Sequence, residues 1–208
     1  MSATPSFDDR APTWDADPIK QERAEAVATA FRQRVPLSPA WQALEYGCGT
    51  GLLSFALDAD LSRITLADSS PGMLAVLDRK IAAAGLTHLH PRALDLLTDP
   101  PPAERYDLIY TLMTLHHVAA VGRLLRIFHD LLRPGGWLGI ADLDREDGSF
   151  HGPDFTGHTG FDREDLRAQL TEAGFASVDF CTAYVIKKKT SQGPREYPLF
   201  LAVAVRPS

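Results

Sequence analysis

The sequence predicts an α/β fold: a mostly parallel sheet with helices on both faces and an antiparallel strand near its end. Three observations predict it. Segments with strand patterning alternate with segments of helical periodicity from residue 42 to residue 142, the order that makes parallel strands joined by crossover helices. The first strand runs into Gly47-Cys48-Gly49-Thr50-Gly51, a glycine loop that opens a helix. The last two strand-like runs, 177–186 and 197–205, have no helix between them and should pair as an antiparallel hairpin. A chain of 208 residues suits one domain.

Residues 1–16 read as irregular, with Pro5 and Pro12. Asp17-Pro18 opens a helix, an N-cap acid followed by proline at the first helical position. Ala24, Val27, Ala28 and Phe31 then line one apolar face. Strand one is 42–46, and the helix after the glycine loop runs to about Leu57. Strand two, 63–67, ends at Asp68. Ser70-Pro71 caps the next helix, whose apolar face is Met73, Leu74, Leu77 and Ile81 and whose stop is Gly85. Strand three is 87–93. Pro100-Pro101-Pro102 is a rigid connector to strand four, 106–111. A helix over 119–132 stops at Arg133-Pro134-Gly135-Gly136, and Trp137 to Asp142 is strand five. Residues 143–160 form a long glycine-containing loop, of a length that tends to be functional or mobile. Asp162 caps the last helix, stapled by Phe161 and Leu166 and ended by Gly174. Strand six is 177–186, a turn passes through Gly193-Pro194, and strand seven is 197–205.

Composition narrows the function classes. The apolar fraction of 45% and charged fraction of 23% are those of a soluble globular protein, and the net charge of −6 argues against a nucleic-acid partner. The basic run Lys187-Lys188-Lys189 is too short to change that. The N-terminus lacks a signal peptide's apolar core, and no run of 18 apolar residues exists. A cytoplasmic protein without a membrane partner is the expectation. Cys48 and Cys181 have no CxxC spacing, so neither a disulfide framework nor a zinc site is expected, and Cys48 reads as a small buried filler. His151 and His158 in the long loop match no ligand spacing such as HExxH, so no metal site is expected.

The glycine loop carries the functional reading. Glycines at alternate positions let a ligand approach the main chain, and Asp68 lies at the interval where a nucleotide-binding fold places its ribose carboxylate. The plainer readings are a tight turn and a solvated acid. The dinucleotide fingerprint has its third glycine one place later than here. The form Glu45-x-Gly47-x-Gly49-x-Gly51 instead resembles motif I of the class I S-adenosylmethionine-dependent methyltransferases. Leu132-Arg133-Pro134-Gly135-Gly136 before strand five is similar to a turn of the same family, remote from the first match. The resemblance extends from about residue 7 to 206.

This resemblance implies a Rossmann-like seven-stranded sheet ordered 3-2-1-4-5-7-6 with strand seven antiparallel. It implies S-adenosylmethionine as cofactor and S-adenosylhomocysteine as product. It assigns the methionine end of the cofactor to Glu45 and the loop of Gly47, Cys48, Gly49 and Gly51. The ribose goes to Asp68 with Ser69 beside it, and the adenine to Met73, Asp95 and Leu96. The cofactor's amino group goes to the main chain after strand four, at Thr111 and Leu112. Residues 1–36 resemble the family's N-terminal lid, with Trp14 either over the cofactor or merely packing the segment down. Asp95 has the alternative of a loop cap, and Met73 of a core residue.

His116 or His117 could face the crevice as general base, since histidine titrates near neutral pH; the other reading is a helix cap beside a solvated ring. The loop 143–160 would lie on the substrate side. From Asp142 to Asp165 there are eight acids against Arg145 and Arg163, which suits a neutral or cationic acceptor, or simply a solvated loop. An Asn-Pro-Pro-Tyr motif for nucleic-acid or amide methylation is missing after strand four, where Thr111-Leu112-Met113-Thr114 stands. A small-molecule acceptor is therefore expected, for a monomer or homodimer. Two other readings stand beside this one. An NAD-dependent oxidoreductase shares the loop and acid but not the glycine spacing, the turn or the hairpin. A non-catalytic S-adenosylmethionine-binding protein would keep the fold without turnover.

Overall fold

A computed structural model of the protein describes residues 6–190 and 193–208, with the Thr190 side chain outside that set. Seven strands form one sheet: β1 (Gln42–Tyr46), β2 (Arg63–Asp68), β3 (Leu89–Ala93), β4 (Tyr106–Leu112), β5 (Leu132–Leu143), β6 (Ala176–Thr190) and β7 (Gly193–Val205). Their order is β3-β2-β1-β4-β5-β7-β6, the expected one. β1 to β5 pair parallel, and β7 pairs antiparallel with both β5 and β6. The order reverses between β1 and β4, so the carboxyl ends of β1, β2, β3 and β4 flank the switch point where such sheets bind ligands.

Alternate side chains of each central strand feed two cores. Ala43, Ile64, Leu66, Leu108 and Tyr110 pack under α2 (Pro18–Arg34), α3 (Leu52–Ala56) and α4 (Pro71–Ala84), through Val27, Phe31, Leu53 and Leu77. Leu44, Ile109, Leu138 and Ile140 pack on the other face under α5 (Val121–Leu131) and α6 (Arg163–Glu172), through Leu124, Phe128, Leu166 and Leu170. With both faces covered, a central strand must be apolar throughout, which is why 43–46 and 64–67 read as runs and not as alternations. Among the described residues no helix is long and apolar enough to cross a membrane.

One glycine shows how tight the first core is. A Cβ on Gly139 of β5 would stand 2.2 Å from Phe31 Cε1, and Phe31 is itself fully buried and edge-on to Tyr110 with ring centroids 5.8 Å apart. Gly139→Ala should therefore destabilise the fold by about 1–3 kcal/mol, as overpacking does. Urea unfolding reads this directly, and an unchanged midpoint would show that Phe31 has room to retreat.

The structure corrects several boundaries. Residues 7–16 are not irregular: α1 (Phe7–Arg10; α-helices numbered in chain order) and a 3₁₀ turn, Ala11–Ala16, occupy them. Ser6 Oγ accepts from Asp9 N at 3.2 Å while the Asp9 carboxylate accepts from Ser6 N at 3.0 Å, a reciprocal cap that holds so short a helix. β5 starts at Leu132, before the expected break, because left-handed Gly135 (φ 77°) bends the chain while its N–H still donates to Arg206 O at 2.9 Å. Gly193 and Pro194, expected in the turn, belong to β7, and residues 191–192 lie outside the described residues. Residues 145–160 contain no helix or strand, as expected.

Candidate functional site

The glycine loop is shaped by three left-handed residues, Gly47 (φ 69°), Gly49 (φ 53°) and Gly51 (φ 79°). The N–H groups of Gly47 and Cys48 both donate to Ala67 O, at 2.8 and 3.0 Å, which folds the loop back over β2. A Cβ on Gly47 would stand 2.2 Å from Thr114 Cγ2, and one on Gly51 2.6 Å from Leu77 Cδ1. Gly49 differs: the nearest atom to its Cβ position is Met73 Sδ at 4.0 Å. Its open side faces the crevice beside Met73, which is itself buried. Cys48 is buried, and burial pushes its thiol well up, which keeps it protonated and inert.

Asp68, at the end of β2, pins the loop. Its Oδ2 accepts from Gly49 N at 2.7 Å and its Oδ1 from Ser70 N at 2.8 Å, while burial raises its pKa. Ser69 beside it is exposed. Asp95, after β3, accepts from the Tyr46 hydroxyl at 3.0 Å and from Leu97 N at 2.9 Å, both at Oδ1. Asp95 is thus a loop cap that keeps its second oxygen, and Leu96 next to it is buried. Burial raises the Tyr46 phenol first, then Asp95, with Asp68 adding to it, so the ends of β1, β2 and β3 meet around one ring. Glu45 lies beneath the loop. It is 2% exposed, and its carboxyl is bonded to Ser54 Oγ of α3, which in turn lies 2.6 Å from the Tyr110 hydroxyl. Burial above all pushes Glu45 up to about 8.

The N-terminal segment is joined to this region through Asp8 and Asp15, the two acids of the Phe7-Asp8 and Trp14-Asp15 pairs on which its resemblance to the family's lid rests. Asp8 Oδ1 accepts from Ser70 Oγ at 2.5 Å and from Gly72 N at 2.8 Å. Asp15 accepts from Thr50 Oγ1 at 2.5 Å and from Lys80 Nζ at 2.6 Å, and Lys80 also donates to Thr50 O at 2.8 Å. The segment is therefore tied to the glycine loop and to the start of α4. Trp14 packs within it: Lys20 Nζ lies 3.9 Å from the ring centroid and the Phe7 ring 5.9 Å away.

The ends of β4 and β5 carry the polar centre. Thr111 is buried with its hydroxyl unpartnered among the described residues. Leu112 O accepts from Thr114 Oγ1 at 3.1 Å. Met113 between them is left-handed (φ 54°), a strained backbone of the kind found where a chain end is presented to a ligand. His116 follows, 1% exposed, with Nδ1 2.7 Å from Asp142 Oδ1. Asp142 is fully buried and also accepts from His116 N at 3.2 Å and Leu143 N at 2.8 Å. Surrounded by donors, it fixes the proton on Nδ1 and leaves the lone pair on Nε2. His151 Nε2 lies 3.1 Å from that nitrogen. The His117 ring centroid is 4.1 Å from that of His116. Although His117 and His151 present edges to solvent, desolvation by their neighbours and then repulsion from the adjacent imidazole hold both at about 4. Arg23 of α2 is buried and attracted to Asp142, with no partner for its Nε among the described residues.

Asp142 was not singled out from the sequence, and His151 entered only as a loop histidine without ligand spacing. They lie 26 and 35 residues from His116, with no spacing motif between them. The long loop reaches the centre because His158 N donates to His116 O at 2.8 Å, and His158 Nε2 sits 3.0 Å from Val118 O.

A glycine loop at the switch point of a 3-2-1-4-5-7-6 sheet, with acids at successive strand ends, defines a nucleoside-binding α/β protein. Residues 44–138 match the family described as a methyltransferase domain. A ubiquinone biosynthesis O-methyltransferase of Caulobacter vibrioides is 33% identical over 49% of this chain and 40% of its own length. The O-methyltransferase cnsE of Penicillium expansum is 30% identical over 80% of this chain and 64% of its own. The N-methyltransferase NodS of Bradyrhizobium japonicum, solved with S-adenosylhomocysteine, superposes with a TM-score of 0.67 at 21% identity, covering 93% of this chain and 90% of that one. The chain thus spans about two fifths of the first of these relatives and nearly two thirds of the second. Residues 44–138 are similar to a methyltransferase domain, and the sheet order is the one the resemblance to class I S-adenosylmethionine-dependent methyltransferases implied.

Proposed function

We propose that the chain transfers the methyl group of S-adenosylmethionine to a hydroxyl of a small-molecule acceptor. The observation that carries the reading is the buried His116–Asp142 pair standing at the strand ends next to the glycine loop. S-adenosylmethionine would lie along Gly47, Cys48, Gly49 and Gly51, with Asp68 and Ser69 at its ribose. Met73, Asp95 and Leu96 would hold its adenine, and the main chain at Thr111 and Leu112 its amino group. Glu45 would support the loop from below, and the segment bearing Trp14 would cover it.

In the transfer, an acceptor oxygen attacks the methyl carbon in line with sulfur. The O–CH₃ bond forms, the S–CH₃ bond breaks with its electron pair staying on sulfur, and S-adenosylhomocysteine leaves. The hydroxyl proton passes to His116 Nε2, in the place that the His151 N–H occupies here, and Asp142 stabilises the imidazolium. Aligning the three atoms and excluding water supplies the rest of the acceleration.

Calorimetric titration with S-adenosylmethionine, S-adenosylhomocysteine and NAD tests the cofactor. Micromolar binding of the two sulfur compounds and none of NAD is expected; binding of NAD alone would overturn the reading. Asp68→Ala should weaken S-adenosylmethionine binding by about 1.5–3 kcal/mol, since Asp68 Oδ2 accepts from Gly49 N of the loop and Oδ1 from Ser70 N at the cap of α4, leaving lone pairs for the ribose hydroxyls. An unaltered dissociation constant would remove Asp68 from the site.

A further inference from the structure

We propose that His116, His117 and His151 form a site for one divalent transition-metal ion of the zinc class, with its remaining coordination open to the crevice. One ligand nitrogen from each ring lies within 4.8 Å of the other two, and the closest pair, His116 Nε2 and His151 Nε2, is 3.1 Å apart. Nitrogens bound tetrahedrally at zinc distances stand about 3.3 Å from one another. An ion therefore fits between the closest pair almost as they stand, and the His117 ring closes on it by about 1–1.5 Å.

The support around the cluster is that of a metal centre. His116 is the fixed ligand. Its Nδ1 is held at 2.7 Å by Asp142, the carboxylate–imidazole arrangement that aims the other nitrogen at a metal and raises its basicity. Asp142 is itself held by two backbone N–H groups. His117 and His151 are the exposed ligands and leave a way in from solvent. Their rings have walls: Phe155 stacks on His151 with centroids 4.0 Å apart, and Phe7 meets His117 edge-on at 5.2 Å.

Three neutral imidazoles with no carboxylate oxygen among them select zinc, copper, nickel or cobalt over magnesium or calcium. The hydrogen bond between His116 and His151 is what the ion replaces, with His151 moving its proton from Nε2 to Nδ1. No ligand spacing along the chain announces the site, because two ligands come from the turn after β4 and the third from the long loop.

The site shares His116 Nε2 with the methyl-transfer reading, so a bound ion and the base role exclude each other there; metal binding is therefore measured on the chain without cofactor, and transfer on the metal-free chain. The chelator-treated chain is titrated with zinc by calorimetry and, in parallel, with cobalt followed by visible absorption. One zinc per chain, bound at micromolar affinity or tighter, and the strong visible bands of four-coordinate cobalt are expected. His151→Ala and His117→Ala should each weaken zinc binding about tenfold or more, and Asp142→Asn about 10–100-fold. His90→Ala, on β3 and outside the cluster, should leave it unchanged. Circular dichroism of each variant separates loss of the site from loss of the fold, and two ligand variants in different segments guard against one failing to fold. Millimolar binding, or equal affinity in all folded variants, would overturn the proposal. Zinc binding without S-adenosylmethionine binding would leave the site standing and sink the methyl-transfer reading, and the converse result would do the opposite.

Discussion

His116→Gln is expected to lower methyl-transfer turnover by about 10²–10⁴-fold, the usual contribution of a positioned general base, while S-adenosylmethionine affinity stays within about twofold. Glutamine can still donate to Asp142 across the 2.7 Å that His116 spans, so the buried carboxylate keeps its partner, but it has no basic nitrogen to take a proton. His116→Ala removes the base as well and, in addition, leaves Asp142 short of a donor in a fully buried position. The two variants should therefore be alike in turnover and differ in stability, alanine being the weaker by about 1–3 kcal/mol.

Asp142→Asn probes the same unit from the other side. The amide can present its N–H₂ to the imidazole and move the ring proton to Nε2, where it blocks acceptance from the acceptor. A fall in kcat with little change in KM is the expected pattern for both residues. Wild-type kcat in His116→Gln would show that the sulfonium is attacked without side-chain help, and that alignment alone accounts for the rate.

What the sequence made legible follows from where the signals are local. The glycine loop, the Ser70 and Asp162 caps and the Gly85 stop are each settled by residues within one turn of each other, and each stands where expected. The structure of residues 7–16 was not legible, although the segment resembled a lid. A four-residue helix has no periodicity, and what holds it, Asp8 on Ser70 and Gly72 and Asp15 on Thr50 and Lys80, reaches 35 to 65 residues along the chain. Pro134-Gly135-Gly136 reads as a break, but hydrogen bonds to Arg206 at the end of the chain keep that stretch in the sheet.

The site divides in the same way. His116 could be suspected from its position after strand four. Asp142 could not, because it becomes its neighbour only through the pairing of Leu112 with Ala141 between β4 and β5. His151 comes from a loop whose sequence carries acids and glycines and no motif. Glu45 was legible as a family position, yet its burial against Ser54 and Tyr110 follows from α3 packing over β1 and β4, which no spacing in the motif reveals.

That burial couples Glu45 to the stability of the whole fold. Its carboxyl titrates at about 8 in the folded chain against an ordinary value of 4.5, so between those two values the folded state keeps a proton that the unfolded state releases. Stability is then full below about pH 4.5, falls as pH rises towards 8, and levels off above it. The slope can approach about 1.4 kcal/mol per pH unit, and the whole loss is on the order of 2–5 kcal/mol. The Ser54 hydroxyl and Lys80 oppose the shift, while Asp68 adds to it.

Glu45→Gln copies the protonated carboxyl in shape and has nothing to ionise. Urea unfolding of both chains from pH 5 to pH 9 should give parallel stabilities at the acid end and a widening advantage for the variant, reaching a few kcal/mol near pH 9. Parallel curves across the range would place the proton elsewhere. In the proposed placement over the glycine loop, S-adenosylmethionine, cationic at sulfur, should draw Glu45 towards ionisation, so the loaded wild-type chain is expected to show the shallower slope. S-adenosylhomocysteine, which lacks the sulfonium charge, should flatten it less, and that difference would mark the cofactor's sulfur as lying within reach of the buried acid.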